Sequence, residues 1–103
     1  MFEHNKKIKI CFDVDGTLIH QVGPKDETPR YEIVALFQTL SKLGCDMYVW
    51  SGSGVDWATR WSEKLGLDAT IVVKGSFRPD ICFDDGDAAK EFVVNLADKN
   101  IQV

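Results

Sequence analysis

Residues 8–18 read IKICFDVDGTL, and the interpretation of the whole chain depends on this stretch. Four of its first five residues are apolar and two are β-branched, which is typical of a buried strand. Asp13 and Asp15 follow directly, and while the chain stays extended their side chains point to the same side. Gly16 permits a sharp turn immediately after them. The stretch therefore predicts a strand that delivers two carboxylates to one end of a sheet.

The rest of the chain alternates between predicted strands and predicted helices. Short apolar runs predict further strands over residues 45–50, 69–73, 80–83 and 101–103. Apolar residues at helical spacing predict helices over residues 33–43, 57–65 and 88–96, the second of them capped by Asp56. Such alternation implies right-handed crossovers and a mostly parallel sheet that is covered on both faces. We expect a single α/β domain, doubly wound in three layers, over residues 1–103.

Composition limits the classes of partner that the protein could have. The chain has 103 residues, 45% of them hydrophobic, and a net charge of −4. This acidic balance argues against binding to long nucleic acid, which needs a basic face, and against an anionic membrane surface. No apolar stretch approaches the ~20 residues that a membrane-spanning helix needs.

The cysteines indicate the cellular compartment. Cys11, Cys45 and Cys82 are odd in number, widely spaced and set in apolar runs, so we interpret them as buried free thiols. Free thiols are typical of a reducing compartment. The polar residues 1–7 contain no apolar signal core, and we expect the protein to be cytoplasmic.

Polar and charged residues follow four predicted strands. In open α/β sheets, the ligand crevice lies outside the carboxyl ends of the strands. A purely structural sheet has no need to collect carboxylates, a hydroxyl and a cation at one edge. The residues placed there are Asp13 and Asp15 after the first strand, Ser51 after the second, Lys74 after the third, and Asp84 and Asp85 after the fourth.

This set of side chains suits a phosphate ester and a hard cation. Carboxylates held this close repel each other unless a cation or a shared proton lies between them. A divalent cation with oxygen ligands, Mg²⁺ above all, would relieve that repulsion and also take a phosphate oxygen. The hydroxyl of Ser51 and the amides from Gly52 to Gly54 precede a helix, a suitable cradle for phosphoryl oxygens.

The same residues resemble the motifs of the haloacid dehalogenase-like phosphatases. FDVDGTL over residues 12–18 resembles the first motif, Ser51 the second, Lys74 the third and Asp84-Asp85 the fourth, in the family's order. The resemblance spans nearly the whole chain, and the DxDGT segment is its most specific part. It implies a Rossmann-like core with strand order 3-2-1-4-5.

The resemblance also implies a role for each matched residue. Asp13 would attack phosphorus to form an aspartyl-phosphate, and Asp15 would act as general acid and then general base. The magnesium ligands would be the Asp13 carboxylate, the Asp15 main-chain carbonyl, and Asp84 or Asp85, with Asp87 as a third choice. Ser51, Gly52 and a cation would hold the phosphoryl group. That cation is Lys74, with Arg78 in the same loop as the alternative.

Other interpretations of these motifs are open. The first motif could be a calcium loop, although position twelve is Pro24 rather than Glu. Asp84 to Asp87 could be a turn and helix cap, and Lys74 and Arg78 could be solvated surface. The chain could also be a non-catalytic module that binds phosphate or metal. A receiver-like phosphoacceptor domain is a third alternative. Such a domain is expected to carry its pair of adjacent acids after the first strand, whereas the adjacent pair here, Asp84-Asp85, follows the fourth.

The lengths of the connections bear on the substrate. Residues 19–29 form a predicted flap, loop or small hairpin, and residues 74–79 a short loop. Neither can hold a cap domain, since a domain usually needs ~50 residues or more. A capless site would be open to a phosphorylated small molecule, a nucleotide or a phosphopeptide. Specificity would then come from His20, Lys25 and Arg30 near the flap, or from a second copy in a homo-oligomer.

Overall fold

The computed structural model describes residues 6–20, 27–86 and 96–103. Within these ranges the chain forms five strands and two helices. In chain order they are β1 (Lys9–Asp13), α1 (Tyr31–Lys42), β2 (Asp46–Trp50), α2 (Val55–Lys64), β3 (Thr70–Ile71), β4 (Ile81–Asp84) and β5 (Lys99–Gln102).

The strands form one sheet in the order β3-β2-β1-β4-β5, and every pairing in it is parallel. The predicted strand order is therefore confirmed, and the described sheet is parallel throughout. β1 lies at the centre and is buried from Ile10 onward, as a strand covered on both faces should be. All five strands consequently end at the same edge of the sheet.

The side chains of β1 alternate between two apolar clusters, one on each face of the sheet. Phe12 stacks on Phe83 of β4 at 4.7 Å between ring centroids and meets Phe37 of α1 edge-on at 5.2 Å. Cys11 lies in the other cluster with Trp50. Both described helices pack on the Phe12 face. The helix predicted over residues 88–96 lies outside the described residues except for Leu96, which packs on the Cys11 face.

Several predicted boundaries were wrong. α2 begins at Val55, with Gly54 at its N-cap, because Gly54 takes a φ of 107° that suits glycine. Asp56, the predicted cap, lies inside the first turn. β3 spans only two residues, since only those two pair with β2. β5 begins at Lys99, two residues before its predicted start.

The two ends of the predicted flap lie side by side. Ile19 forms bridges with Asp15 and with Pro29, and the main-chain amide of His20 donates to the carbonyl of Thr28 at 2.7 Å. These contacts make the described part of the 19–29 loop a narrow hairpin base. Lys25 lies outside the described residues. Over residues 72–80, between β3 and β4, the chain forms no helix or strand.

The prediction that all three cysteines are buried holds for two of them. Cys11 and Cys82 are buried, but Cys45 is half-buried because it precedes β2 at the amino edge of the sheet. All three are free thiols. Neither helix in the described part of the chain is long and apolar enough to cross a bilayer.

Candidate active site

The ends of three neighbouring strands position acidic and hydroxyl side chains at one edge of the sheet. Asp13 is the last residue of β1 and lies in register with Trp50, the last residue of β2, which Ser51 follows directly. Asp84 is the last residue of β4, on the other side of β1. Asp13 and Ser51 are both buried. The edge therefore carries polar groups that are largely removed from water.

Lys74 reaches Asp13 from the segment after β3. Its Nζ lies 3.4 Å from Asp13 Oδ2, and the two side chains are 26% and 10% exposed. Burial raises the pKa of Asp13 to about 6, the charge of Lys74 and its hydrogen bond oppose that rise, and the charge of Asp84 adds to it. Asp13 is then mostly ionised at pH 7.

The second carboxylate oxygen of Asp13 is unusual in its lack of hydrogen bonds to the described residues. Asp13 Oδ1 is buried and has no hydrogen-bond partner among the described residues. Buried carboxylate oxygens are normally satisfied, and an unsatisfied one calls for an explanation such as an ion, a water or a catalytic role. Oδ1 is therefore an unsatisfied oxygen that could serve as a ligand to a cation.

Asp15 is held by three donors from the start of α2 and the loop before it. Trp57 Nε1 donates to Asp15 Oδ1 at 3.0 Å. The hydroxyls of Ser53 and Ser51 donate to Oδ2 at 3.2 Å and 3.4 Å. Both oxygens are thus engaged, and the carboxylate has a defined orientation beside Ser51.

The turn between β2 and α2 is organised by Ser51. Its Oγ accepts from the amide of Ser53 at 3.0 Å, and its carbonyl accepts from the amide of Gly54 at 3.1 Å. Gly52, at the tip, is exposed, and nothing lies within 4 Å of the position of a Cβ. Space therefore exists beside Gly52 for a ligand, next to the start of α2.

Asp85 lies over the turn of the first motif. Gly16 has a φ of 78°, and a Cβ added there would collide with the Asp85 carboxylate. Burial raises the pKa of Asp85, the charge of Asp84 raises it further, and Lys74 and Arg30 oppose the rise. Asp84 Oδ1 already accepts from the amide of Gly86 at 2.7 Å. Asp87 lies outside the described residues.

Arg30 connects the first motif with α1. Its Nη1 donates to the carbonyl of Gly16 at 2.8 Å, and its Nε pairs with Glu32 at 3.3 Å. Burial raises the pKa of Asp85, and the guanidinium charge of Arg30 opposes that rise only weakly. Arg30 therefore adds positive charge near the first motif.

Arg78 does not reach this edge. Its Nε pairs with Asp98 at 2.8 Å, and it lines a surface cleft of about 500 Å³ together with Lys9 and Asp80. The reason is the path of the chain, which returns to the amino ends of the strands before β4 can begin. The amide of Asp80 already donates to the carbonyl of Lys9 there. Of the two candidate cations, the structure brings only Lys74 to Asp13.

The acidic residues offer a limited ligand set for a metal. Among the described residues, no three His, Cys, Asp or Glu side chains converge as a cation site. The expected magnesium site needs only two carboxylates, from Asp13 and from Asp84 or Asp85, and the main-chain carbonyl of Asp15. The unpartnered oxygen of Asp13 and the nearby charge of Asp84 fit that smaller set.

The sequence indicated the main-chain amide of Ser53 but not its side chain, and it did not indicate Trp57 as a contact of Asp15. Their spacing from Ser51 gave a usable signal, because the first turn of a helix that follows a parallel strand lies at the carboxyl edge of the sheet. Both side chains contact Asp15 for that reason. Comparisons of the chain with protein-family models, with curated proteins and with solved structures found no match.

Proposed function

We propose that this protein is a magnesium-dependent phosphohydrolase of the haloacid dehalogenase-like type, with Asp13 as its nucleophile. The observation that carries the proposal is the state of Asp13. One of its oxygens contacts Lys74, and the other is buried without a partner among the described residues. A buried carboxylate in this state has one unsatisfied oxygen that a cation could complete and a lysine beside the other oxygen to balance charge, which supports a reactive rather than a structural role.

Each residue of the site has a task in this reaction. An oxygen of Asp13 attacks phosphorus, and the bond from phosphorus to the ester oxygen of the leaving group breaks. Asp15 gives that oxygen a proton. Asp15 then takes a proton from water, which attacks the aspartyl-phosphate and releases phosphate and free Asp13. Lys74 and Ser51 hold the equatorial oxygens of the transferring group.

A bound Mg²⁺ would supply charge stabilisation for the phosphoryl oxygens. Asp13, Asp84 and the main-chain carbonyl of Asp15 would hold it. This assignment favours Asp84 over Asp85, because the charge of Asp84 acts on Asp13, whereas the carboxylate of Asp85 lies over Gly16.

The proposed fold is the doubly wound, three-layer form of this family without a cap. Both described helices cover one face, and Leu96 packs on the other face beside Cys11 and Trp50, which supports a third layer there. The short connection over residues 72–80 supports a site open on its leaving-group side. We propose phosphorylated small molecules, nucleotides or phosphopeptides as the substrate class.

The test is release of phosphate from an aryl phosphate such as p-nitrophenyl phosphate. Wild-type protein should hydrolyse this substrate in the presence of Mg²⁺, and excess EDTA should abolish the hydrolysis. The Asp13→Asn variant should be inactive while remaining folded. A folded wild-type protein without turnover would indicate a binding module instead. A long-lived phosphorylated protein would indicate a receiver-like phosphoacceptor.

A further inference from the structure

We infer that Trp57 is a positioning residue for Asp15, which fixes the orientation in which that carboxyl group serves the leaving group. This inference rests on the proposed function and deepens it. The juxtaposition is direct, since Trp57 Nε1 lies 3.0 Å from Asp15 Oδ1, within the usual range of an N–H···O hydrogen bond.

The indole ring is itself held in place. Trp57 lies in the first turn of α2, and its ring meets that of Trp61 edge-on at 6.2 Å between centroids. The guanidinium of Arg60 lies over the same ring at 5.9 Å. An aromatic side chain has only two rotatable bonds, so these contacts leave its N–H little freedom. Trp57 can therefore fix the carboxylate of Asp15 more firmly than a serine hydroxyl, which rotates.

The two oxygens of Asp15 consequently differ in what they can do. An indole N–H only donates, so Oδ1 must accept from Trp57. Oδ2 faces the hydroxyls of Ser51 and Ser53, which can donate or accept. Oδ2 is then the oxygen that can carry the proton for the leaving group while the bond from Trp57 stays intact.

The experiment compares leaving groups, because general acid catalysis matters most when the leaving group is poor. The substrates are p-nitrophenyl phosphate, phenyl phosphate and an alkyl phosphate, and the measured quantity is kcat/KM, which covers the steps up to formation of the aspartyl-phosphate. Trp57→Phe removes the N–H and keeps most of the ring. We expect it to stay within about threefold of wild type on p-nitrophenyl phosphate. On the alkyl phosphate it should lose roughly ten- to a hundred-fold, as expected when one hydrogen bond to a charged group is removed.

The matched control is Trp61→Phe, one helical turn further along α2. Trp61 Nε1 is buried and has no hydrogen-bond partner among the described residues, so the same substitution there removes no bond. Any loss in Trp61→Phe should be the same for all three substrates. A uniform loss in Trp57→Phe as well would overturn the positioning role and leave only a structural one.

A second readout does not depend on activity. The three tryptophans give three indole N–H signals in a ¹H–¹⁵N spectrum, and Trp57→Phe identifies its own by removing it. Asp15→Ala should move the Trp57 signal upfield and leave the Trp61 signal in place. An unmoved Trp57 signal would overturn the contact itself. A wild-type protein that hydrolyses none of the substrates would instead overturn the proposed function, and the positioning role with it, even if the signal moves.

Discussion

Replacing Asp13 by asparagine should stabilise the metal-free protein while it abolishes activity. Burial raises the pKa of Asp13 from its ordinary value of 3.8 to about 6 in the folded chain. The folded protein thus binds this proton more tightly than the unfolded chain does. The free energy of unfolding therefore falls as the pH rises from below 3.8 through about 6, which is the direction for an acid whose folded pKa is raised.

The size of the effect follows from the same shift. A difference of about 2 pKa units corresponds to about 3 kcal/mol, lost in full above roughly pH 7. Asparagine has nearly the same shape and cannot ionise, so Asp13→Asn escapes this loss. The gap in stability between variant and wild type should be about 3 kcal/mol at pH 8 and roughly half of that at pH 5. Loss of the contact with Lys74 reduces both values.

The assay is urea unfolding in EDTA at several pH values between 5 and 8, with linear extrapolation to water. Asp98→Asn is the control, because it removes a carboxylate of an ion pair whose Asp98 side chain is 67% exposed. That variant should stay within about 1 kcal/mol of wild type at every pH. A gap between Asp13→Asn and wild type that does not widen with pH would refute the reasoning.

Three further predictions concern the other residues of the site. Lys74→Ala should lower kcat roughly 10²–10³-fold, as loss of one charge-stabilising donor commonly does, whereas Arg78→Ala should stay within a few-fold in the same kinetic assay. Gly16→Ala should destabilise the fold by at least ~1–2 kcal/mol in urea unfolding, because its positive φ and the Asp85 carboxylate leave no place for a Cβ. Asp84→Asn should weaken Mg²⁺ binding more than Asp85→Asn when both are titrated by calorimetry, and the opposite order would exchange their roles.

The parallel sheet could be predicted from the sequence for a physical reason, whereas its strand order was implied by the family resemblance. Apolar strands that alternate with helices allow few topologies, and parallel strands all end at one edge. That rule places Asp13, Ser51 and Asp84 together without any knowledge of side-chain contacts. The same rule carries Lys74 to this edge, because it follows β3 closely.

The details that the sequence did not reveal depend on the path of the chain and on helix orientation. Arg78 follows Lys74 by four residues, yet the chain has already returned to the amino edge there. Trp57 and Trp61 stand one turn apart in the predicted helix, so periodicity places both on the same face. Both pack on the core, but Trp57 is only partly buried, because the first turn of α2 overhangs Asp15. Periodicity defines the face of a helix but not where the helix starts relative to the sheet.

The central claim, that Asp13 forms a covalent bond to phosphorus, can be tested by trapping the intermediate. Wild-type protein is mixed with substrate and Mg²⁺, quenched in acid and treated with sodium borohydride, which reduces an acyl phosphate of aspartate to homoserine. Peptide mass spectrometry should find homoserine in place of Asp13, and neither Asp15 nor a protein incubated without substrate should be converted. Turnover of substrate with Asp13 unconverted, or conversion at Asp15 or Asp84 instead, would contradict the account.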